Sequence, residues 1–313
     1  MIPKISVVIP VYNEKDNLKN LAGELSAAFK ASGLSWESVW VDDGSTDGSG
    51  PELRSVVKDL PGARLISFAR NFGQTAALSA GIQASSGEYI VTMDADLQND
   101  PADIAGLLKS ASEGFDVVSG WRRDRKDAFF SRVLPSKIAN FIISKVTGVD
   151  LHDYGCTLKI YKAPHLRAVE LYGEMHRFLP ALLGYMGARI TELPVNHRAR
   201  AQGASKYGLG RIFKVSLDLL TVKFMGDFLS KPLYLFGGLS LGLLSASALM
   251  AGFTLYKKFF GHVFVKDQPL FLVAIFFALV AVQFAFMGLM AEILVRTYYR
   301  SNRKPSYVIK EID

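Results

Sequence analysis

The chain has 313 residues, 50% of them hydrophobic, and a formal net charge of +7; its mean hydropathy is +0.20. That length buries a large core and leaves an appendage over, and that hydropathy excludes a wholly water-exposed surface, so part of the chain is expected in lipid. The single cysteine, Cys156, excludes an intrachain disulfide and a multi-cysteine metal centre, while the positive charge calls for anionic partners: nucleic acid, lipid headgroups or phosphorylated substrates.

From residue 4 to residue 119, short β-rich runs alternate with helical patterns. Residues 5–9, 38–41, 64–68, 89–93 and 116–118 read as strands. Between the first two, Leu18, Leu21, Leu25 and Phe29 fall on one face of an amphipathic helix. The first apolar run, residues 5–11, is too short for a secretory signal and is interrupted by Pro10. Near-continuous apolar strands imply burial on both faces, hence a largely parallel α/β sheet flanked by helices.

Such sheets place ligands beyond the carboxyl ends of their strands. The unusual polar residues follow the strands directly: Pro10-Val11-Tyr12-Asn13-Glu14, then Asp42-Asp43-Gly44-Ser45-Thr46-Asp47, then Arg70-Asn71-Phe72-Gly73-Gln74, then Asp94-Ala95-Asp96. Four polar loops aimed at one edge make a binding site the economical reading. Two carboxylates one residue apart suit a hard divalent cation that keeps positions open for phosphate oxygens. No Gly-x-Gly-x-x-Gly or Gly-x-x-x-x-Gly-Lys fingerprint occurs, which lowers dinucleotide redox chemistry and P-loop phosphoryl transfer.

Residues 7–14, residues 41–47 and Asp94-x-Asp96, in that order and spacing, resemble an inverting glycosyltransferase of family 2 with the GT-A fold. The resemblance implies a nucleotide-sugar donor. Pro10, Tyr12, Glu14, Asp42 and Asp43 would bind the donor, while Asp94, Asp96 and Gln98 would hold Mg²⁺ or Mn²⁺ against its diphosphate.

Residues 119–137 carry Arg122, Arg123, Arg125, Lys126, Arg132 and Lys137 against Asp124 and Asp127. A solvated basic loop is one reading. In the other, Arg132 and Ser136, four apart in a helical pattern, share a face and join Arg122 as a phosphate clamp. The stretch from His152 to Tyr161 resembles the acceptor-side motif of the polyisoprenyl-phosphate branch of the family, where an acidic residue is a candidate base. Many relatives show Gly-Asp-Phe-Arg there; this chain has Gly155-Cys156-Thr157-Leu158, which leaves Asp153 as the carboxylate to nominate. Asp153 capping a turn is the structural alternative, and Cys156 is expected to be packed rather than nucleophilic. Arg200-x-x-Gly203-x-Ser205-Lys206 matches the loop that meets the lipid phosphate in that branch. No nucleic-acid motif or aromatic ladder accompanies these cations, so nucleic acid is not an expected partner.

Residues 232–256 and 268–291 are free of charge, and each exceeds the roughly 20 residues needed to cross a bilayer as a helix. Residues 211–231 mix apolar and charged side chains and read as helices lying in the interface. The expected division is therefore a catalytic domain with acceptor loop over 1–207, interfacial helices over 208–231, two membrane helices over 232–292 and a basic tail over 293–313. Two crossings return the tail to the side of the catalytic domain. Arg296, Arg300, Arg303, Lys304 and Lys310, with Lys214, Lys223 and Lys231, outweigh Lys257, Lys258 and Lys266 of the connection. Both termini and the catalytic domain are thus expected on the cytoplasmic face of the inner membrane.

The expected reaction is transfer of a sugar from a nucleotide diphosphate donor, UDP-glucose or a similar hexose first, to a polyprenyl phosphate. The resemblance also implies a homo-oligomer assembled through the tail and membrane helices. A processive polysaccharide synthase is the rival enzyme, although its usual Gln-x-x-Arg-Trp is absent. A nucleotidyltransferase and a catalytically silent nucleotide-sugar-binding subunit are the remaining rivals.

Overall fold

Nearly continuous apolar residues build the centre of the sheet. In β1 (Ile5–Val11) the residues Ile5, Val7, Ile9 and Val11 face one layer and Val8 the other, and all five are buried. The computed structural model describes residues 3–123, 134–171, 173–198, 210–229 and 231–301. After β1 come α1 (Leu18–Ser32), β2 (Trp36–Asp42), α2 (Ser49–Asp59), β3 (Ala63–Ser67), α3 (Gln74–Ala84) and β4 (Tyr89–Thr92). The chain continues through α4 (Ile104–Ser112), β5 (Val117–Trp121), α5 (Leu134–Thr147), β6 (Lys159–Lys162), α6 (Ala163–Arg167), α7 (Leu179–Tyr185) and β7 (Ile190–Pro194). Three helices follow: α8 (Gly210–Asp227), α9 (Pro232–Phe260) and α10 (Pro269–Ser301).

The seven strands lie in the order β3-β2-β1-β4-β6-β5-β7, and only β6 runs against its neighbours. One face is covered by α1, α2 and α4, with Leu18, Leu21, Leu25 and Phe29 of α1 beside Trp40, Val91 and Leu107. The other is covered by α3, α6 and α7, which bring Ala77, Leu78, Leu166 and Leu183 against Val8, Val39, Ile90 and Tyr161. The mostly parallel α/β sheet expected from the strand patterns is present. Its last two strands were not anticipated: β6 is a four-residue run containing two lysines, and β7 is only half-buried. The segment before the long apolar helices forms the single helix α8 where more than one interfacial helix was expected.

The chain divides into two compact units, Met1–Val222 and Lys223–Asp313. In the second, α9 and α10 have 29 and 33 residues; at about 1.5 Å per residue both exceed a ~30 Å hydrocarbon core. Their seam is made of small residues seven apart. Ser240 Oγ donates to the Ala281 carbonyl at 2.8 Å and Ser247 Oγ to the Ala274 carbonyl at 2.7 Å. Gly288 continues the series, since a Cβ there would come within 3.0 Å of Leu233 and Phe236. The large side chains point outward: Leu249 is 76% exposed and Leu272 71%. Two helices that put small residues inside and large apolar ones outside are built for lipid rather than for a water-excluding core. Ala281→Leu should force the seam apart and cost ~1–3 kcal/mol, read as a lower midpoint of thermal unfolding in detergent.

Candidate active site

Because β6 runs against the others, the carboxyl ends of six strands and the amino end of β6 meet at one edge of the sheet. Ligands bind such sheets where the strand order reverses, here between β1 and β4.

The loops at this edge are tied to one another in series. Asn13 is left-handed at φ 57; its N–H donates to Ser45 Oγ at 3.0 Å and its Oδ1 accepts from Thr46 N–H at 2.8 Å. Glu14 N–H donates to Ser49 Oγ at 3.0 Å, and Glu14 Oε2 accepts from Asn17 Nδ2 at 2.6 Å. Asp42 accepts from Ser45 N–H at 3.0 Å. Asp43, 2% exposed, accepts from Phe72 N–H at 2.7 Å, Gly73 N–H at 2.9 Å and Asn71 Nδ2 at 3.0 Å. Gly44, at φ 68, lets the second loop pass so close that a Cβ would lie 2.3 Å from the Arg70 carbonyl carbon. Gln74 Nε2 completes the series by donating to Asp94 Oδ1 at 2.8 Å. Pro10 sits within β1, half-buried, and Tyr12 stands 37% exposed at its end.

Asp94 and Asp96 follow β4. The Asp94 carboxyl is pushed up to about 7, first by its loss of solvent and then by the Asp96 carboxylate. Like charges this close resist joint ionisation unless a cation lies between them. Asp96 Oδ1 accepts from Gln98 N–H at 3.2 Å across Leu97, a leucine held left-handed at φ 60 and packed against the core. Non-glycine residues in that region cost ~1–3 kcal/mol and persist where packing enforces them. Among the described residues no set of three or more His, Cys, Asp or Glu side chains could enclose a metal ion. Two carboxylates and an amide therefore fit a cation that takes its other oxygens from a ligand and water. The chain passes next to this turn again after β7: Arg198 N–H donates to the Gln98 carbonyl at 3.0 Å, and Arg198 pairs with Asp100 and Glu24.

Arg122 and Asp153, expected to play separate parts, are bound to each other. Nε donates to Asp153 Oδ2 at 2.6 Å and Nη2 to Oδ1 at 2.9 Å, while Gly155 N–H also donates to Oδ1 at 3.1 Å. Both are largely buried, Asp153 only 3% exposed, and neither charge is tolerable there unpaired. A carboxylate held in a bidentate guanidinium pair is a poor proton acceptor, so the pairing argues against Asp153 as a free base. Ser136 lies half-buried in the first turn of α5. Arg132, Arg200, Ser205 and Lys206 lie outside the described residues. Burial pushes the Cys156 thiol up, which suits a packed side chain.

The family model described as "Glycosyl transferase family 2" matches residues 6–169. A dodecaprenyl-phosphate galacturonate synthase from Rhizobium johnstonii is 41% identical over 313 residues, covering 99% of this chain and 93% of that protein. The chain belongs to glycosyltransferase family 2. A second family 2 relative, the undecaprenyl-phosphate 4-deoxy-4-formamido-L-arabinose transferase of Salmonella paratyphi A, is 37% identical over 99% of this chain and 94% of its own length. Among solved structures, glucosyl-3-phosphoglycerate synthase from Mycobacterium tuberculosis, in complex with Mn²⁺, UDP and phosphoglyceric acid, aligns with a TM-score of 0.56. It covers 72% of this chain and 78% of its own at 18% identity, a likeness of fold alone.

Several side chains of this family 2 site escape sequence reasoning. Lys159, 3% exposed at the start of β6, donates to the Tyr154 carbonyl at 3.2 Å and to the Cys156 carbonyl. Burial lowers its pKa, against the pull of Asp153 and Asp94. Thr157 Oγ1 donates to Asn99 Oδ1 at 3.0 Å and also meets Asp94. Behind Gln74, Thr75 Oγ1 lies 2.6 Å from His176 Nδ1, and burial pushes that imidazole down to about 3. A lysine inside an apolar run was the one available signal; the other pairs join residues 58 to 101 positions apart. Asp43→Ala would orphan three donors and should cost ~1–3 kcal/mol or more, with a lower melting temperature and weaker nucleotide binding measured together by thermal shift with and without UDP.

Proposed function

We propose that this chain transfers a glycosyl group from a UDP-linked sugar to the phosphate of a polyprenyl phosphate, inverting the anomeric carbon. The observation that carries this reading is the Asp94 and Asp96 pair at the edge where the strand order reverses, to which the chain returns after β7 as Arg198 N–H donates to the Gln98 carbonyl. The names of both polyprenyl-phosphate relatives support the acceptor. In the reaction an acceptor phosphate oxygen forms the bond to the anomeric carbon as the bond to the diphosphate breaks, and UDP leaves. Phosphate monoesters have a second pKa near ~6, so the nucleophile is already mostly ionised at neutral pH and needs no strong base.

Asp94 and Asp96, with Gln98, would hold Mg²⁺ or Mn²⁺, which supplies positive charge to the departing diphosphate. Tyr12, Pro10, Glu14, Asp42 and Asp43 line or shape the donor side. Arg122, Arg132, Ser136, Arg200, Ser205 and Lys206 orient the acceptor phosphate, with Asp153 holding the Arg122 fork in place. Positioning of this kind supplies several kcal/mol of barrier lowering. The excess of lysine and arginine on the flanks of the two apolar helices supports a catalytic unit and both termini on the cytoplasmic side of the inner membrane, where nucleotide sugars are available.

The test is to incubate the detergent-solubilised protein with Mn²⁺, undecaprenyl phosphate and UDP-glucose, UDP-galacturonate or UDP-linked amino-arabinose derivatives, with GDP-mannose alongside, and weigh the lipid product. No lipid-linked sugar from any donor would defeat the proposal. Asp96→Asn should reduce kcat more than Asp153→Asn, whose cost falls on stability and on KM for the acceptor; the reverse order of kcat would restore Asp153 as the base. Since a metal binds ionised Asp94 and that carboxyl titrates near 7, protons compete as pH falls. The Mn²⁺ concentration for half-saturation should therefore rise from pH 8 to pH 6, approaching about tenfold per unit below the pKa. Titration followed by the electron-spin signal of free Mn²⁺ reads this directly, and a pH-independent affinity would remove Asp94 from the metal site.

A further inference from the structure

Helix α5 is built inside out. Of its apolar side chains Ile143 is buried, yet Ile138 is 54% exposed, Phe141 65% and Ile142 46%. Positions 138, 141, 142 and 145 recur at i, i+3, i+4 and i+7, so the three apolar side chains and Lys145 share one stripe, and Lys137 borders it. The opposite face anchors the helix: Thr147 is buried, and Asn140 Nδ2 donates to the His152 carbonyl at 2.7 Å. Among the described residues of the catalytic unit that precede α8, Tyr12 and Phe72 are the other strongly exposed large apolar side chains, and both flank the donor loops.

We propose that this face of α5 seats the catalytic unit on the bilayer, with Ile138, Phe141 and Ile142 in the boundary between headgroups and acyl chains and Lys137 and Lys145 against anionic headgroups. Three observations select a membrane as the occupant. The helix carries no acidic residue, so its charge complements anionic lipid. The same chain carries two helices long and apolar enough to cross a bilayer, which tethers the unit close to one. A second copy fits poorly: three side chains fall far short of the ~800 Å² per partner of a stable interface, and a two-fold axis through the stripe would oppose like charges. This inference rests on the proposed lipid-phosphate acceptor only in its purpose, since it holds the first turn of α5, with Ser136, at headgroup level.

The experiment places a nitroxide label at Ile138→Cys, Phe141→Cys or Ile142→Cys of the full chain, with Lys58→Cys on an exposed turn of α2 as reference; native Cys156 is buried and stays unlabelled. The protein is reconstituted in vesicles of equal parts phosphatidylethanolamine and phosphatidylglycerol. Collision rates with oxygen and with a water-soluble nickel chelate are then compared. The three stripe labels should gain oxygen and lose nickel collisions severalfold relative to position 58. The double variant Lys137→Glu/Lys145→Glu should weaken seating by about fivefold per lysine, the factor for ~1 kcal/mol. Stripe labels as wet as position 58 would overturn the proposal, as would dipolar broadening between labels that persists in detergent, which would mark a second copy. Label depth is read without any sugar transfer: wet labels on an enzyme that makes lipid-linked sugar defeat the seating alone, and seated labels on one that makes none defeat the proposed reaction alone.

Discussion

The carboxylate of Asp43, withdrawn from solvent and accepting from Asn71, Phe72 and Gly73, fixes the third loop to the second. From there the order spreads in both directions. Ser45, Thr46 and Ser49 carry it back to the turn after β1, and Gln74 carries it forward to Asp94. Loops at a sheet edge have few apolar contacts to define them, so hydrogen bonds between them must do so. Each link here joins a side chain of one loop to a backbone or side-chain donor of the next. The residues proposed to bind the donor, spread over more than 80 positions of sequence, are thereby held as one surface, which would lower the ordering cost of binding.

A second constraint is the balance of buried charge around β6. Asp94, Asp96 and Asp153 face Arg122 and Lys159, three carboxylates against two cations. Asp153 is neutralised by the Arg122 fork, and Lys159 is turned toward the carbonyls of Tyr154 and Cys156. The surplus negative charge rests on the Asp94 and Asp96 pair, and burial first, with the Asp96 carboxylate second, raises the Asp94 pKa. Without a cation the fold holds a proton there that the unfolded chain would release near pH 4, so apo stability declines as pH rises from about 4 through about 7. A divalent cation held there, as proposed, would reverse the local sign and make the edge attractive to a diphosphate. The same residues thus account for an acidic apo site and an anionic ligand.

Much of this was legible in the sequence because local rules and the tertiary fold agree. The β1 and β2 strands are nearly continuous apolar runs, broken by Ser6 and by Glu37 and Ser38, so burial on both faces and a largely parallel sheet follow from the pattern; the polar loops then fall at one edge by topology. The helices α9 and α10 were readable from unbroken apolar length. What was not legible depends on pairing across the chain. β6 contains Lys159 and Lys162, poor residues for a buried strand, and it is held between β4 and β5 by contacts that no local pattern announces. Arg122 and Asp153 looked like two independent functional groups because 31 positions separate them; only the antiparallel entry of β6 brings them together. The stripe on α5 was hidden for the opposite reason: a helix with one apolar face reads as core-facing until the fold shows which face is outside.

The exposed stripe and the acceptor chemistry also agree in dimension. A polyprenyl phosphate keeps its phosphate at the headgroup level, because its chain belongs in hydrocarbon. Along α5, Ser136 and Phe141 are separated by about 8 Å at ~1.5 Å rise per residue. An interfacial helix buries its apolar face ~5–10 Å into the boundary between headgroups and acyl chains. With Ile138, Phe141 and Ile142 in that boundary and Lys137 and Lys145 at the headgroups, α5 would lie along the surface and hold Ser136 near phosphate level. A deeper seat would carry Lys137 and Lys145 into hydrocarbon, and a shallower one would require the lipid phosphate to leave its headgroup plane. On this proposal the exposed face of one short helix sets the height at which a water-soluble donor and a membrane-bound acceptor would meet.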